Sequence, residues 1–329
     1  MRKKIIFYFL LFFISIFILE SLFRIAGFKP WKSEIKNHES IFKFNSRLGW
    51  ISKEGKYLIT SSDKAKINKF TIEKDSNRSS GKPKDRTLKE IILVGGSFTQ
   101  GAGVSDDETF AYQLQLLLPK HKILNFGQAG YGTLQSFLLL NQILENNSKK
   151  SIVIYGFITH HLRRNVARGE WLEILQKSTN TGFSQKPSIP FGVIGKNDDL
   201  IIKPRTSYLT LPLREKSSLI TTIEKVYMKQ TTRHRKKYQK KVFLKTVLKM
   251  KAIAEKNNNE FIVVNLGLDK KDQDDFLIEI SEKNKFNYLD CRTPDFYSFK
   301  LKNEYHPNNI GHKHFSICIS NFLKKKLFL

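Results

Sequence analysis

A serine on a glycine-lined turn is the residue of this chain best suited to nucleophilic chemistry. The stretch IILVGGSFTQG, residues 91–101, places Ser97 directly after an apolar, β-branched run. A short continuous apolar run is typical of a buried strand, and Gly95 and Gly96 allow a sharp turn beside the hydroxyl. Ligands of open α/β sheets bind at the carboxyl ends of strands. Ser97 is therefore predicted at such an end, and a purely structural turn is the alternative that this segment leaves open.

A histidine near the C-terminus is the candidate base. The chain reads NEYHPNNIGHKHF there, with His306 before Pro307, and proline suits the loop before a helix start. An unactivated serine needs a base within hydrogen-bond reach, and imidazole titrates near neutral pH. Such arrangements are defined by geometry rather than by chain order, so the wide separation of Ser97 and His306 in the sequence is no obstacle.

Together these segments resemble the SGNH/GDSL hydrolase superfamily, whose short blocks surround a serine nucleophile and a late histidine. The first block is matched by GGSFTQG, with Gly96 where many members have aspartate, and Ser97 takes the place of the nucleophile. The second is matched by NFGQAGYGT, residues 125–133, which maps the oxyanion-hole glycine onto Gly130 beside the N–H of Ser97. The last is matched by HPNNIGH, which gives His306 the role of catalytic base.

The resemblance leaves the partner of the base open. The family has an aspartate three residues before the histidine, whereas this chain has Asn303 there, followed by Glu304. An aspartate orients the imidazole and stabilises the imidazolium, and its loss costs about 10⁴ in kcat in the serine-protease triad. Asn303 ranks slightly first on spacing alone, Glu304 is its rival, and a backbone carbonyl is the third alternative.

The third oxyanion donor is also open. The family's third block supplies an asparagine side chain, and this chain has IVIYGFITHHLRRN at that point. His160 or His161 falls closest to the expected asparagine, and Asn165 follows several residues later. A histidine N–H can donate to an oxyanion as an amide does. The alternative is that His161, Arg164 and Asn165 only brace the loop.

Other site chemistries are disfavoured. GGSFTQG lacks the lysine of a phosphate-binding P-loop and the spacing of a dinucleotide fingerprint, and it has threonine where the nucleophile elbow of α/β-hydrolases needs glycine. His312 and His314 follow His306 too irregularly for a zinc motif. No metal and no cofactor are expected.

The N-terminus predicts a membrane anchor. Arg2, Lys3 and Lys4 precede an uncharged apolar run over residues 5–19. A signal peptide or a signal anchor has this pattern, but a small-residue cleavage site should follow a cleaved segment, and bulky and charged residues follow instead. An uncleaved transmembrane helix over residues 1–27 is therefore favoured, with its positive end cytoplasmic. A buried core helix is the alternative.

The positive charge of the chain limits the classes of partner that it is expected to bind. A formal net charge of +27 suggests nucleic acid, anionic lipid or acidic glycan. Nucleic acid is not expected, because the lysines are dispersed and no nucleic-acid motif accompanies them. The densest run is RHRKKYQKK, residues 233–241, which is either a solvated helix face or a surface lying against anionic head groups. Cys291 and Cys318 are the two cysteines, and a disulfide or two buried thiols are both open.

Strand and helix patterns alternate along the chain. This alternation predicts an α/β fold of three layers, α/β/α, with a central parallel sheet, the flavodoxin-like arrangement that the resemblance also implies, plus the N-terminal transmembrane helix. Strands are predicted over Ile91–Val94, Lys122–Phe126, Ile152–Phe157 and Phe261–Leu266, and helices over Phe110–Leu118, Leu134–Leu144 and Val242–Glu255. Residues 28–87 are interpreted as an irregular lobe or linker, and residues 88–329 as the hydrolase-like domain with a cap inserted around 167–240.

The resemblance implies a serine esterase that cleaves an acyl ester, an O-acetyl ester by expectation, on a carbohydrate or lipid through an acyl-enzyme. Transfer of the acyl group to a cell-surface glycan shares that acyl-enzyme and stays open. A non-catalytic glycan-binding or assembly protein that kept the fold is the alternative of another class. The expected location is the inner (cytoplasmic) membrane, crossed once, with the catalytic domain on the periplasmic or extracellular side of the cell envelope. The expected partners are the acylated substrate and the membrane.

Overall fold

The computed structural model describes residues 2–32, 40–60, 66–83, 89–147, 149–178, 186–269 and 276–327. Its helices are α1 (Arg2–Ile25), α2 (Ser97–Gln100), α3 (Phe110–Leu117), α4 (Thr133–Glu145), α5 (His160–Asn165), α6 (Gly169–Ser178), α7 (Ser218–Arg233), α8 (Gln239–Lys256), α9 (Phe276–Asn284) and α10 (Asn309–Leu327). Its strands are β1 (Phe42–Asn45), β2 (Gly49–Ser52), β3 (Gly55–Thr60), β4 (Ile67–Ile72), β5 (Lys89–Gly95), β6 (His121–Asn125), β7 (Ser151–Phe157), β8 (Ile189–Ile194), β9 (Leu200–Thr206), β10 (Glu260–Asn265) and β11 (Asn287–Asp290).

A parallel sheet is the centre of the molecule. In the described part of the chain it has five strands in the order β11-β10-β7-β5-β6. Gly95 of β5 lies opposite Gly156 of β7, so the carboxyl ends of these two strands meet at the same edge. Every residue of β7 is buried, as expected for a central strand whose sheet is covered on both faces.

Helices cover both faces of the sheet. Alternate residues of a strand point to opposite faces. Ile92 and Val94 of β5 belong to one apolar cluster, which includes residues of α4 and α8. Ile91 and Leu93 belong to a second cluster, which includes residues of α3 and α10. The three-layer α/β/α fold predicted from the sequence is confirmed by this arrangement.

The predicted strands and helices match the structure closely. The four strand patterns fall on β5, β6, β7 and β10, and the three helical patterns fall on α3, α4 and α8. β11 was not predicted, because it is four residues long and half-buried throughout, so it has no continuous apolar run. The predicted domain boundary at residues 87–88 lies outside the described residues.

The segments around the sheet have their own short strands. Within residues 28–87 the structure contains the antiparallel pairs β1–β2 and β3–β4. Within residues 167–240 it contains α6, the antiparallel pair β8–β9 and α7. Cys291 and Cys318, left open by the sequence, form a disulfide that joins the segment after β11 to α10.

The N-terminal helix stands apart from both apolar clusters. α1 has an 18-residue window of mean hydropathy 2.5, and none of that window is buried. Its length and composition allow it to cross a membrane, and they also fit a signal sequence.

Candidate active site

The nucleophile candidate lies at the carboxyl end of β5. Ser97 is the first residue of α2, a single helical turn that ends at Gly101 in the left-handed conformation, with φ of 83°. The side chain of Ser97 is almost fully buried at 4% exposure. A Cβ on Gly95 would overlap Thr99 Oγ1 and lie 2.8 Å from the carbonyl oxygen of Gly156. The close approach of β5, α2 and β7 therefore requires glycine at position 95, two residues before Ser97.

The turn of the second block is fastened to this nucleophile turn. The N–H of Gln128 donates to the carbonyl oxygen of Gly95 at 3.0 Å. Gly130 follows in the left-handed region with φ of 86°, and a Cβ there would lie 2.9 Å from the Trp50 ring. Both constraints favour glycine at this position. The hydrogen bond from Gln128 to Gly95 ties the turn that contains the Gly130 N–H to the segment that carries Ser97.

The candidate base is paired with a carboxylate. His306 Nδ1 lies 2.9 Å from Glu304 Oε2, and both side chains are partly exposed. The loop that carries His306 is closed by the Leu301 N–H, which donates to the carbonyl oxygen of His306 at 2.8 Å. The imidazole lies beside the residue after the nucleophile, since its ring centroid is 5.8 Å from that of Phe98.

Glu304, and not Asn303, makes the described contact with the imidazole. Asn303 is exposed to solvent, although spacing alone placed it first. Two residues before the histidine, the longer glutamate side chain turns back along the loop and reaches Nδ1. A neutral His306 that donates Nδ1–H to Glu304 leaves the Nε2 lone pair to accept a proton. The described contacts contain no hydrogen bond between His306 and Ser97 Oγ, so proton transfer between them stays a prediction.

The two adjacent histidines of α5 occupy different environments. His160 is half-buried and lines a cavity that Phe98 and Tyr305 also line. Burial, together with the positive charges of Arg163 and Arg164 and the neighbouring His306, lowers the pKa of His160 to about 4. His160 is therefore neutral at pH 7 and can offer an N–H without a charge.

His161 lies behind the nucleophile turn. It is fully buried, and its Nδ1 lies 2.7 Å from Tyr155 Oη, which in turn contacts Thr133 Oγ1 at 2.7 Å. Its Nε2 has no hydrogen-bond partner among the described atoms, and a Cβ on Gly96 would lie 2.6 Å from that nitrogen. Burial lowers the pKa of His161 well below its usual value. The imidazole thus fills the space that a side chain at position 96 would occupy.

Arg164 and Asn165 hold the same loop to the second block. Arg164 Nη1 donates to the carbonyl oxygen of Tyr131 at 2.9 Å. Asn165 Oδ1 accepts from the Leu134 N–H at 3.0 Å, and its Nδ2 donates to Thr133 Oγ1 at 2.9 Å. These are contacts of bracing residues, and both side chains are buried.

A cavity of about 520 Å³ opens beside His160 and Tyr305, between the carboxyl ends of β7 and β10. Its apolar lining includes Phe98, Phe157, Ile158, Leu162 and Leu277, its polar lining Asn265, Asp269 and Arg292, and its aromatic rim Phe296, Tyr297 and Tyr305. The rings of Phe296 and Tyr305 are 4.7 Å apart, and Tyr297 is 82% exposed. Apart from His160, sequence reasoning missed this lining, because its residues come from several separate stretches of the chain with no fixed spacing between them. In the described ranges, no three His, Cys, Asp or Glu side chains are grouped to hold a metal.

Comparisons with known proteins return structural likeness only. No family model matches the chain, and no curated protein matches it. A member of the lipolytic protein G-D-S-L family from Veillonella parvula DSM 2008 is similar at 12% identity with a TM-score of 0.42, over 74% of this chain and 100% of the other. The psychrotrophic esterase EstA from Pseudoalteromonas sp. is similar at 11% identity with a TM-score of 0.40, over 73% and 100%. A family two carbohydrate esterase from Clostridium thermocellum is similar at 10% identity with a TM-score of 0.40, over 74% and 66%.

Proposed function

We propose that this chain is a membrane-anchored serine hydrolase of ester bonds, with Ser97 as nucleophile and His306 as base. The observation that carries the proposal is the 2.9 Å contact between His306 and Glu304 beside the turn that presents Ser97. A nucleophile, a base and a third group that orients the base are the parts that activate a serine hydroxyl.

The proposed reaction starts with His306 neutral and Nδ1–H donated to Glu304. Nε2 takes the proton of Ser97 as Oγ attacks the ester carbonyl, and the alcohol leaves with that proton. Water then attacks the acyl-enzyme with His306 again as base, and the bond between the acyl carbon and Ser97 Oγ breaks. The carboxylic acid is released, and His306 returns the proton to Oγ. The carboxylate of Glu304 stabilises the imidazolium that forms in each half of the reaction.

The proposed oxyanion donors are two backbone N–H groups and one side chain. Ser97 is the first residue of a helical turn, where an N–H has no partner within the helix, and the Gly130 turn is bonded to the same segment. The neutral imidazole of His160 is the third donor, because it lines the cavity while His161 lies behind Gly96. Donors held in place before the reaction stabilise the charge that develops on the carbonyl oxygen.

We expect His160→Ala to lower kcat on a soluble aryl acetate about 10²-fold with little change in KM, because one oxyanion donor is lost. His160→Asn should keep more of the activity, since an amide N–H can donate in its place. Because the pKa of His160 is about 4, the ratio of wild-type to His160→Ala rates should be constant from about pH 6 to 9. A ratio that falls as the pH rises through neutrality would show that a charged histidine acts instead. His234→Ala, at an exposed position directly after α7, is the matched control.

The proposed substrate is an acyl ester, an O-acetyl ester by expectation, on a carbohydrate or lipid. The exposed rings of Tyr297 and Tyr305 offer flat faces at the rim of the cavity. The polar lining includes the amide of Asn265 and the guanidinium of Arg292, which is paired with Asp290. Such convergence of apolar walls and a few polar groups is typical of ligand sites.

The Cys291–Cys318 disulfide supports an oxidising compartment for the domain, and hence export past the membrane that α1 is proposed to cross.

A fluorophosphonate probe tests the hydrolase assignment directly. The full chain in detergent is expected to acquire one probe per molecule, on the peptide that contains Ser97, because an activated serine attacks the phosphorus. Ser97→Ala should abolish labelling, and Ser298→Ala, in the loop before the last block, should leave it unchanged. A folded wild-type chain that takes up no probe would favour the non-catalytic glycan-binding protein.

A further inference from the structure

The end of α1 is bonded to the start of α7. The carboxylate of Glu20 accepts from Ser217 Oγ at 2.7 Å and from the N–H groups of Ser218 and Leu219 at 2.9 and 3.0 Å. Arg24 pairs with the same carboxylate at 2.6 Å. A carboxylate at a helix N-terminus satisfies N–H groups that have no partner within the helix. α7 therefore begins where α1 ends.

The chain that follows α1 stays on α7. Ser218 Oγ donates to the carbonyl oxygen of Phe28 at 3.0 Å. The Trp31 N–H donates to Thr221 Oγ1 at 3.0 Å, and the guanidinium of Arg214 lies 3.5 Å from the centre of the Trp31 ring. The junction is thus held at several points, and a bilayer that contains α1 ends next to the first turn of α7.

One face of α7 exposes large apolar side chains. Ile223, Val226 and Tyr227 are 49%, 52% and 53% exposed. Their spacing of three to four residues places them on the same side of the helix. The opposite side, which includes Glu224 and Met228, is buried in the cap.

The same face continues into basic residues. Arg233 follows Val226 by seven residues, a same-face spacing on the helix, and α7 then passes into a basic 3-10 turn over His234–Tyr238. A groove of about 830 Å³ is lined by Gln230, Arg233, His234, Lys236, Lys237, Gln239 and Lys240. No ion pair joins Arg233, Lys236 or Lys237 to a carboxylate among the described residues.

Arg235 alone turns inward from this basic turn. It donates to the carbonyl oxygen of Ala167 at 3.1 Å, and its guanidinium lies 4.5 Å from the centre of the Phe191 ring. The turn is thereby held to the domain, while the side chains of Arg233, Lys236 and Lys237 are exposed.

We propose that this α7 surface, Ile223, Val226 and Tyr227 with Arg233, Lys236 and Lys237, lies against an anionic bilayer. The apolar residues would enter the boundary between head groups and acyl chains, and the basic residues would contact lipid phosphates. An apolar stripe continued by basic residues is typical of helices that lie in a membrane interface. Its continuity with the end of α1 favours a bilayer over a soluble polyanion. The proposal rests on the anchoring proposed for α1.

Quenching of an added tryptophan by brominated lipids tests the surface. The three native tryptophans are buried, so Tyr227→Trp adds one exposed indole, the reporter, to the full chain. In vesicles that contain anionic lipid, brominated acyl chains should about halve the emission of the reporter. Leu116→Trp, on α3 at the opposite face of the sheet and 63% exposed, is the matched control and should be unaffected.

The triple substitution Arg233→Glu, Lys236→Glu and Lys237→Glu should remove most of the quenching of the reporter in anionic vesicles. A control triple variant makes the same change of charge on the other side of the molecule, with Lys120→Glu, Lys324→Glu and Lys325→Glu. It should leave the quenching intact. If the reporter is not quenched and the chain resists alkaline extraction, the proposed contact of the α7 surface with the bilayer is wrong, while α1 is still an anchor. An unquenched reporter in chains that alkali extracts overturns the anchoring itself. A competition experiment gives a third outcome that would overturn the proposal. If soluble dextran sulfate abolishes the quenching and added salt of equal ionic strength does not, the groove prefers a polyanion to the bilayer.

Discussion

Replacing Glu304 with glutamine is expected to lower kcat for an aryl acetate by about 10³–10⁴-fold, the scale seen when the acid of a serine triad is neutralised. The carboxylate lies 2.9 Å from Nδ1 of the imidazole, and in the proposed reaction its negative charge stabilises the imidazolium of the transition state. Glutamine keeps the size of the side chain but removes that charge. Turnover of the full chain in detergent is the measurement.

Asn303 provides the matched comparison for this experiment. Asn303→Asp places a carboxylate where the SGNH family has one, and Asn303→Ala removes the side chain, yet both should leave kcat nearly unchanged because Asn303 is exposed. A large loss in Asn303→Ala together with a small one in Glu304→Gln would reverse the assignment. If neither changes the rate while Ser97→Ala abolishes it, a backbone carbonyl orients His306 and the enzyme works as a dyad.

The strands around the site were predictable because burial leaves a mark in the sequence. β5 and β7 are central strands, and their residues form continuous apolar runs. Gly95, the last residue of β5, was equally informative, since the close approach of Thr99 and Gly156 excludes a side chain there. The turn that carries Ser97 could therefore be predicted from local pattern alone.

The partner of His306 was not predictable from spacing. The loop between Lys300 and Pro307 is held by pairing between these two residues, and that pairing decides which side chain faces the imidazole. A rule that counts residues assumes one loop conformation. In this loop the side chain two residues before the histidine makes the contact, while Asn303 faces solvent.

His160 and His161 show a similar limit. Successive residues of an α-helix point about 100° apart, so two adjacent histidines at the start of α5 cannot both face the cavity. The sequence predicted that one of the two histidines is an oxyanion donor. Which one lines the cavity depends on how α5 is oriented against the sheet. His160 lines the cavity, and His161 packs against Gly96 and Tyr155.

Gly96→Ala should lower kcat by about 10³-fold, because it displaces both Ser97 Oγ and the Ser97 N–H. A Cβ at this position would lie 2.6 Å from His161 Nε2, 3.2 Å from Arg164 Nη1 and 3.3 Å from the carbonyl oxygen of Tyr131. Neither side chain can move freely, since His161 is held by Tyr155 and Arg164 by Tyr131. A shift of about 1 Å in a reacting group costs roughly 10²-fold, and misplacing an oxyanion donor adds to that loss.

His161→Gly would open the space that the new methyl group needs. If the loss in Gly96→Ala is steric, the double variant Gly96→Ala/His161→Gly should be at least about tenfold faster than Gly96→Ala, a departure from additivity expected of residues in contact. His161→Gly alone measures what the imidazole contributes without the clash, and thermal unfolding of each variant separates turnover from loss of fold. Gly96→Asp, which gives position 96 the residue common in the SGNH family, should be slower than Gly96→Ala in this chain, because the larger side chain meets the same imidazole. A double variant no faster than Gly96→Ala would show that His161 is not what excludes a side chain from the turn before the nucleophile.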